Sequence, residues 1–298
     1  MKRLLIINPT SGQHRNELLP SEIAASLGVS SEDVRKTGTS GDAERYALEA
    51  TAGGNYGCIV AAGGDGTVNE VINGILRAPN SSVKPTVGVI PQGTSNILAT
   101  ELGIPTGVLT DAVSVIEVGN NRLIDIGSVN GRYFTMMASF GIDAEAVKRL
   151  QPNVKDLMGA PAYILSGMAA LAKYRATPVM IDIDEVQVHS EAFIVVVANT
   201  SSYGIEQVKI APFAAIDDGW LDICIFEKPP NDKIGFLGQI LLLMARRHLG
   251  DPRVRYYRGK KITITATPPM LGQIDGDLWR ETPANIEVLP RALSFYVP

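Results

Sequence analysis

Cysteine is scarce in this chain, and the two that are present cannot build a disulfide framework. Cys58 and Cys224 each stand inside a short apolar run, without the Cys-x-x-Cys spacing of redox or zinc sites. The three histidines, His14, His189 and His248, are scattered and share no metal-ligand spacing. We therefore expect buried free thiols and a reducing, cytoplasmic compartment.

Long apolar runs are missing as well. The longest, residues 234–245, falls short of the roughly 20 residues that a membrane-spanning helix needs. The N-terminus is basic, but only four apolar residues precede Asn8-Pro9, too few for the central segment of a signal peptide. We expect neither a transmembrane segment nor a secretion signal.

The chain also has no excess of positive charge. Its 27 Lys and Arg residues face 31 Asp and Glu residues, for a formal net charge of −4. This balance gives no general attraction to nucleic acid, so no nucleic-acid partner is expected. Apolar residues make up 45% of the 298 residues, enough for folded cores in one large or two moderate domains.

The first 120 or so residues repeat one pattern, in which an apolar strand leads into a polar, glycine-containing loop and then a helix. "RLLII" precedes "NPTSGQ", "CIVAA" precedes "GGDGT", and "TVGVI" precedes "PQGTSN". Alternating strands and helices predict a parallel sheet covered on both faces. The loops that follow such strands gather at one edge of the sheet, where ligands bind.

After residue 120 the pattern changes to strand-like runs with few helices. Asn130-Gly131 is typical of a two-residue hairpin turn, and helical stretches are predicted near 143–150, 157–175 and 231–248. We predict an α/β nucleotide-binding domain over residues 1–124 and a mostly antiparallel β-sandwich domain over residues 125–298. The tail from about residue 290 could pack back on the first domain.

The "GGDGT" loop, residues 63–67, is followed by a helix with one apolar face. Thr67 and Glu70 match a capping box, which predicts that the helix begins at the end of the loop. Free backbone N–H groups at a helix start can hold an anion. Asp65 would repel a phosphate unless a cation intervenes or the carboxylate accepts a proton. The alternative is a tight strand-to-helix turn that Asp65 caps.

A second loop repeats the spacing of the first. Gly93-Thr94-Ser95-Asn96 has the Gly-Thr-x-Asn pattern of Gly66-Thr67-Val68-Asn69, again between an apolar strand and a helix. Two matching loops at one sheet edge favour a polyphosphate ligand, and "NPTSG" at residues 8–12 could form a third wall. The pattern fits neither a Walker loop nor a dinucleotide-binding loop.

Taken in order, several motifs resemble those of the diacylglycerol kinase catalytic domain family, which is distantly related to the NAD kinases. They are "NPTSG", "GGDGTVNEVINGI", "PQGTSN", "RLIDIG", "GIDA", "VANT", "APFAAIDDGWLDI" and "IDGD". The resemblance implies a two-domain lipid kinase with its active site in the cleft between the domains. ATP, with Mg²⁺, would donate its γ-phosphoryl group to a lipid alcohol at a membrane surface, as phospholipid synthesis requires.

The resemblance also implies roles for single residues. Asp277 would accept the proton of the lipid hydroxyl, although the family has Glu there, and Asp65 would organise Mg²⁺ and water or take the proton instead. Thr39 would contact ATP or, alternatively, only cap the following helix. The implied ATP contacts are Thr10, Thr39, Gly63, Gly64, Asp65, Gly66, Thr67, Val68, Asn69 and Thr94.

A magnesium site near the active site is implied by "AAIDDGWLDI". Asp218 would supply its carboxylate, and Ala215 and Trp220 their backbone carbonyls, since oxygen ligands suit a hard cation. The alternative is a surface turn, because Asp-Asp-Gly favours turns without any ligand.

The sequence departs from the family pattern at three further points. Gln13 stands where many bacterial members have Lys, and Ile97 where they have Asp, so a charge of each sign is missing. The glycine run expected after "VAN" is also absent. These departures leave open a catalytically weak protein that binds nucleotide or lipid. The distant relation to the NAD kinases leaves open an enzyme with a soluble substrate such as NAD, although the motifs of the second domain count against it.

The segment 243–261 combines the end of an apolar helix with seven basic residues and two tyrosines. It could rest on an anionic membrane surface, which would make the protein peripheral at the inner membrane face. Alternatively, it is a core-packed helix followed by a solvated basic strand. A homodimer is left open. The basic residues are Arg246, Arg247, Arg253, Arg255, Arg258, Lys260 and Lys261.

Overall fold

The computed structural model describes residues 2–12, 20–79, 84–149, 171, 174–203 and 205–298. Two compact units emerge, one of Met1–Ile124 with Arg291–Pro298 and one of Asp125–Pro290. The predicted helix at 157–175 lies almost entirely outside the described residues. Within the described ranges, no helix is both long and apolar enough to cross a membrane.

The first unit is built on a parallel sheet. Its strands are β1 (Arg3–Ile7), β2 (Val34–Lys36), β3 (Cys58–Gly63) and β4 (Thr86–Pro91). They pair in the order β2-β1-β3-β4, and Phe295 near the C-terminus pairs in parallel with Val87 of β4. The helices are α1 (Pro20–Ser26), α2 (Asp42–Gly53), α3 (Asp65–Arg77), α4 (Ile97–Glu101) and α5 (Leu109–Val118).

The strands of this sheet are apolar because both faces are covered. Every residue of β3 is buried, and its side chains pack with those of β1 and the helices in one core. Gly74 of α3 faces α2 so closely that a Cβ there would lie 2.2 Å from the carbonyl oxygen of Glu44. The absence of a side chain at Gly74 therefore fixes how closely these two helices pack.

The second unit contains the remaining strands, except that the first of them begins and the last of them ends in the first unit. Those before its long helix are β5 (Asn121–Val129), β6 (Arg132–Phe134), β7 (Met137–Gly141), β8 (Thr177–Ile183), β9 (Val186–Ala198), β10 (Ser202–Tyr203), β11 (Ile205–Lys209) and β12 (Leu221–Glu227). Those after it are β13 (Val254–Gly259), β14 (Lys261–Ala266), β15 (Leu271–Ile274), β16 (Asp277–Glu281) and β17 (Ala284–Tyr296). Two helices, α6 (Ile142–Arg149) and α7 (Asp232–Met244), accompany them.

The strand β9 takes part in two antiparallel sheet regions. Residues 186–192 pair with β8, whereas residues 194–198 lie between β7 and β12. The strand β8 leads to β14 and β17, while β7 leads to β15 and β16. One apolar core joins residues of both regions, and a second lies beneath α7.

The predicted hairpin at Asn130-Gly131 is present. Both residues have positive φ, 48° and 82°, and they join β5 to β6 with Val129 opposite Arg132. The fold class expected from the sequence is confirmed: an α/β domain with a parallel sheet, followed by an antiparallel, β-sandwich-like domain.

Candidate functional site

Three loops meet at the carboxyl edge of the parallel sheet; we call residues 8–12, 63–67 and 92–96 the three-loop cluster. The Asn8 side chain donates from Nδ2 to the Thr67 hydroxyl at 3.3 Å. A Cβ placed on Gly93 would lie 2.5 Å from the Cα of Gly64, and one on Gly64 would lie 3.3 Å from the Ser11 hydroxyl. The loops that the sequence predicts to share one edge are therefore in contact.

The glycines of the "GGDGT" loop are not explained by a tight turn. Gly63, Gly64 and Gly66 are not among the residues with positive φ. Gly63 has no room for a side chain, because its Cβ would lie 2.5 Å from the Thr67 hydroxyl. Gly66 is exposed and has no atom within 4 Å of such a Cβ. Packing thus requires glycine at 63 and leaves little room at 64, whereas at 66 it requires none and the helix start stays uncovered.

The predicted capping box is wrong. The N-cap of α3 is Gly64 and the helix begins at Asp65, three residues before the start that a Thr67 cap predicts, so Thr67 already lies inside the first turn. Glu70 instead accepts hydrogen bonds at the start of α2, from the N–H groups of Gly41 (2.8 Å) and Ala43 (3.1 Å). Because α2 has a glycine N-cap without a side-chain acceptor, Glu70 supplies that cap from the neighbouring helix.

Asp65 connects the first loop to the second. Its carboxylate oxygens accept hydrogen bonds from the N–H groups of Ile97 and Leu98, both at 3.2 Å, and thereby cap α4. Burial raises the pKa of Asp65, and these N–H groups oppose that rise. At position 97 the main chain, rather than a charged side chain, meets Asp65. Gln13, the other departure noted in the sequence, lies outside the described residues.

Three of the four predicted nucleotide-contacting threonines are exposed, namely Thr10, Thr39 and Thr94. Thr67 is buried, as are the predicted contacts Val68 and Asn69. The Thr10 hydroxyl donates to Asn8 Oδ1 at 2.9 Å, and Thr94 stands beside Gly93 in the three-loop cluster. The backbone N–H of Thr39 donates to the Asp42 carboxylate at 3.0 Å, just before α2. Thr39 does not cap α2, since Gly41 is its N-cap and makes no side-chain capping bond.

The segment around Asp218 is occupied by internal contacts. One carboxylate oxygen accepts the Trp220 N–H at 3.1 Å, and the other forms an ion pair with Arg258. The same guanidinium reaches the buried Asp222 at 3.4 Å. The Asp218 carboxylate is thus paired with an arginine in this structure, and the magnesium ligands expected from the sequence, Ala215, Asp218 and Trp220, stay a prediction. Among the described residues, no group of three or more His, Cys, Asp or Glu side chains could hold a metal.

The Asp275 turn, residues 274–277, presents the predicted base. Asp275-Gly276 has positive φ at both residues, 47° and 88°, and joins β15 to β16 with Ile274 opposite Asp277. The Asp275 carboxylate accepts four hydrogen bonds, from the N–H groups of residues 135, 136 and 137 and from the Thr135 hydroxyl, all between 2.9 and 3.1 Å. Asp277 follows as an exposed carboxylate on a tightly anchored turn.

Three buried polar side chains beneath this turn, those of Gln273, Ser139 and Asp143, have no role predicted from the sequence. Gln273 Nε2 donates to the Ser139 hydroxyl at 2.6 Å, and Gln273 Oε1 accepts the Gly276 N–H at 2.8 Å. Ser139 also donates to the carboxylate of Asp143. Asp143 belongs to the "GIDA" motif, which was a signal for the family but carried no residue assignment. These side chains connect β7 and α6 to the Asp275 turn.

Comparison with known proteins agrees with the geometry. Residues 2–129 match the diacylglycerol kinase catalytic domain, and residues 136–297 match the YegS C-terminal NAD kinase beta sandwich-like domain. A protein of Staphylococcus saprophyticus named diacylglycerol kinase is 32% identical over 99% of this chain and 94% of its own length. One of Staphylococcus aureus with the same name is 34% identical over 99% and 91%.

Solved structures show the same fold. A crystal structure from Bacillus anthracis, described as a diacylglycerol kinase, covers 100% of this chain and 97% of its own, with a TM-score of 0.79 and 25% identity. A second structure from that organism has a TM-score of 0.80 at 25% identity and covers 95% of its own chain. The three-loop cluster and the Asp275 turn thus belong to a member of the diacylglycerol kinase catalytic domain family.

Proposed function

We propose that the protein is an ATP-dependent lipid kinase, which transfers the γ-phosphoryl group of ATP to the hydroxyl of a lipid of the diacylglycerol class. The observation that carries this proposal is the three-loop cluster, with the start of α3 uncovered at Gly66. Backbone N–H groups at a helix start bind phosphate, and a glycine that packing does not require leaves room for it. The names of the relatives support diacylglycerol as the acceptor.

Positioning and neutralisation of charge dominate phosphoryl transfer. In our proposal the N–H groups of Gly66 and Thr67, with the hydroxyls of Thr10 and Thr94, bind the phosphates of ATP, and Thr39 lies at the rim. The N–H of Val68 is already engaged within α3, where it donates to Gly64 O at 3.1 Å. Mg²⁺ that arrives with ATP supplies further positive charge against the phosphates. Asp65 acts by holding the second loop in place.

Asp277 is the base in this proposal. It is exposed at the start of β16, and the Asp275 turn fixes its backbone. A carboxylate at that position can accept the proton of a lipid hydroxyl as the oxygen attacks the γ-phosphorus. An Asp is one methylene shorter than the Glu of the family motif, so we expect a lower turnover than that of a Glu variant if the acceptor sits at the same distance.

A soluble acceptor is the second candidate, and one observation favours it. The second unit matches a domain described as NAD kinase beta sandwich-like, so NAD belongs among the acceptors to be tested. A protein that binds ATP without transfer is the third candidate, because Asp65 is engaged by main-chain N–H groups.

Labelled ATP should be offered with diacylglycerol, other lipid alcohols and NAD, and the products separated. We expect label in a phosphorylated lipid. Transfer to NAD alone would contradict the lipid proposal, whereas ATP binding with no transfer would favour the third candidate. Asp277→Asn should lower turnover by about 10²- to 10⁴-fold, and Glu281→Gln on the same strand serves as the matched control.

A further inference from the structure

The helix α7 is apolar on two opposite faces. Phe236 and Leu243 point into the second unit and are buried. On the other side, four aliphatic side chains are exposed, and we call them the outer stripe. They are Ile234 (76% exposed), Leu237 (40%), Leu241 (70%) and Met244 (49%).

The spacing of the outer stripe follows the helix period. Positions 234, 237, 241 and 244 lie on one side of an α-helix, because steps of three and four residues return to the same face. The stripe is about 15 Å long, from the rise of 1.5 Å per residue. A contiguous apolar patch of this kind marks an interaction surface, unlike single exposed apolar residues.

Positive charge adjoins the stripe. Arg246 and Arg247 follow the helix directly and are exposed, as is Arg253 a few residues later. Lys233 lies at the other end of α7, beside Asp232. Exposed arginines thus follow the C-terminal end of α7, although the whole chain carries a net charge of −4.

The C-terminal end of α7 places Arg246 in a strained backbone conformation. The N–H of Arg247 donates to Leu242 O at 2.7 Å, and that of Arg246 to Leu243 O at 2.9 Å, which is the Schellman ending of a helix. That ending places its first residue beyond the cap in the left-handed region, where glycine is the usual residue. Arg246 occupies it with φ of 57°. Arginine thus stands at a position where the backbone favours glycine.

The basic strand that follows is engaged elsewhere. Arg255 forms an ion pair with Glu227 at 2.9 Å, and Arg258 pairs with Asp218 and Asp222. Lys260 lies over the ring of Trp220 at 4.6 Å. The sequence pointed to residues 246–261 as one basic surface; the structure separates the arginines after α7 from the strand.

We propose that the outer stripe of α7 lies on an anionic phospholipid bilayer, with the aliphatic side chains among the upper acyl chains and the arginines at the lipid phosphates. An aliphatic face flanked by arginines fits a surface that is apolar inside and anionic at its rim. The inference rests on the proposed function in that it gives a lipid kinase its contact with the lipid phase.

The test is sedimentation with phosphatidylglycerol-rich vesicles, carried out without ATP. Leu241→Glu should weaken vesicle partitioning at least about tenfold, because it puts a charge in the middle of the apolar stripe. Val118→Glu is the matched control: Val118 is a helical residue that is 69% exposed, outside the stripe, and the variant should bind like the parent. Arg247→Gln should weaken binding about fivefold, and only at low salt.

Three results would contradict the proposal that the outer stripe binds a membrane. The first is a parent protein that does not bind the vesicles, and the second is a Leu241→Glu variant that binds them as well as the parent does. The third is a parent dimer that Leu241→Glu dissociates into monomers, if those monomers still bind vesicles. Light scattering after gel filtration detects the last, and Ile234→Asn repeats the test if Leu241→Glu fails to fold.

Failure of the two proposals can be told apart. Lipid phosphorylation in detergent micelles needs no bilayer, so the parent and Leu241→Glu should be equally active there. If vesicle binding depends on Leu241 but no lipid is phosphorylated, the membrane-binding surface is supported and the lipid kinase proposal is rejected. If lipid is phosphorylated in micelles but Leu241→Glu does not change vesicle binding, the lipid kinase proposal is supported and the membrane-binding surface is rejected.

Discussion

The three-loop cluster and the Asp275 turn are held in different ways. The loops of the first unit touch main chain to main chain, at Gly64 and Gly93, and the one carboxylate among them bonds to backbone N–H groups. The turn of the second unit is anchored by side-chain acceptors, those of Asp275 and Gln273. We expect the main-chain contacts to tolerate the loss of a charge at position 97, whereas the turn depends on the acceptor oxygens of two side chains.

The largest expected effect comes from forcing the loops apart. Gly93→Ala places a Cβ 2.5 Å from the Cα of Gly64, and backbone cannot yield as a side chain can. We expect a loss of about 1–3 kcal/mol in the free energy of unfolding and loss of ATP binding. Calorimetric unfolding and ATP titration would measure both, and wild-type affinity in this variant would contradict the contact.

Gly66→Ala is the control that separates binding from folding. Position 66 is helical and open, so alanine should raise stability by up to about 1 kcal/mol. We still expect weaker ATP binding, because the methyl group enters the space in front of the α3 start. An unchanged ATP affinity would show that phosphate does not approach this residue.

The anchor of the second unit should be nearly as sensitive. Asp275→Asn leaves one acceptor oxygen where two oxygens now accept four hydrogen bonds, and we expect a loss of about 2–3 kcal/mol in unfolding free energy. Asp277→Asn, two residues on, should leave stability within about 0.5 kcal/mol. If chemical denaturation gives the two variants equal stability, Asp275 does not anchor the turn more than Asp277 does.

A smaller effect is expected at Asp65. Asp65→Asn keeps one acceptor for the N–H groups of Ile97 and Leu98, so stability should fall by no more than about 1 kcal/mol. Transfer should be lost if the second loop moves. Full activity of Asp65→Asn would mean that its capping of α4 does not support the site.

The smallest effect is a dependence of stability on pH at His248. The ring is buried and its Nε2 lies 3.0 Å from Ile210 O; burial lowers the pKa of His248. The unfolded chain therefore binds a proton more readily, so stability should rise with pH up to about 6.5 and then level off. His248→Gln should flatten that rise in denaturation curves recorded between pH 5 and 8.

Much of the fold was predictable from the sequence because its signals are local. Apolar strands followed by glycine loops predict a parallel sheet, and Asn130-Gly131 predicts a hairpin; the fold class and the family are confirmed. The roles assigned to single site residues stay predictions. The capping box failed because Thr67 and Glu70 are a local pattern, whereas the partner of Glu70 is set by the packing of α2 against α3.

Other contacts were out of reach because their partners are distant in sequence. Asp65 meets Ile97 32 residues later, and Asp218 meets Arg258 after 40. No local motif predicts that Arg258 will pair with Asp218, the residue expected to bind magnesium. Nor does periodicity tell that α7 leaves an aliphatic face exposed, since both of its faces are apolar.

The return of the chain to the first unit has a practical consequence for dissection. Residues 291–298 belong to that unit, and Phe295 covers one side of β4. A fragment that stops at residue 124 would expose β4 as an open sheet edge, which invites aggregation. A soluble nucleotide-binding fragment should therefore carry residues 291–298 joined to its end through a short flexible linker.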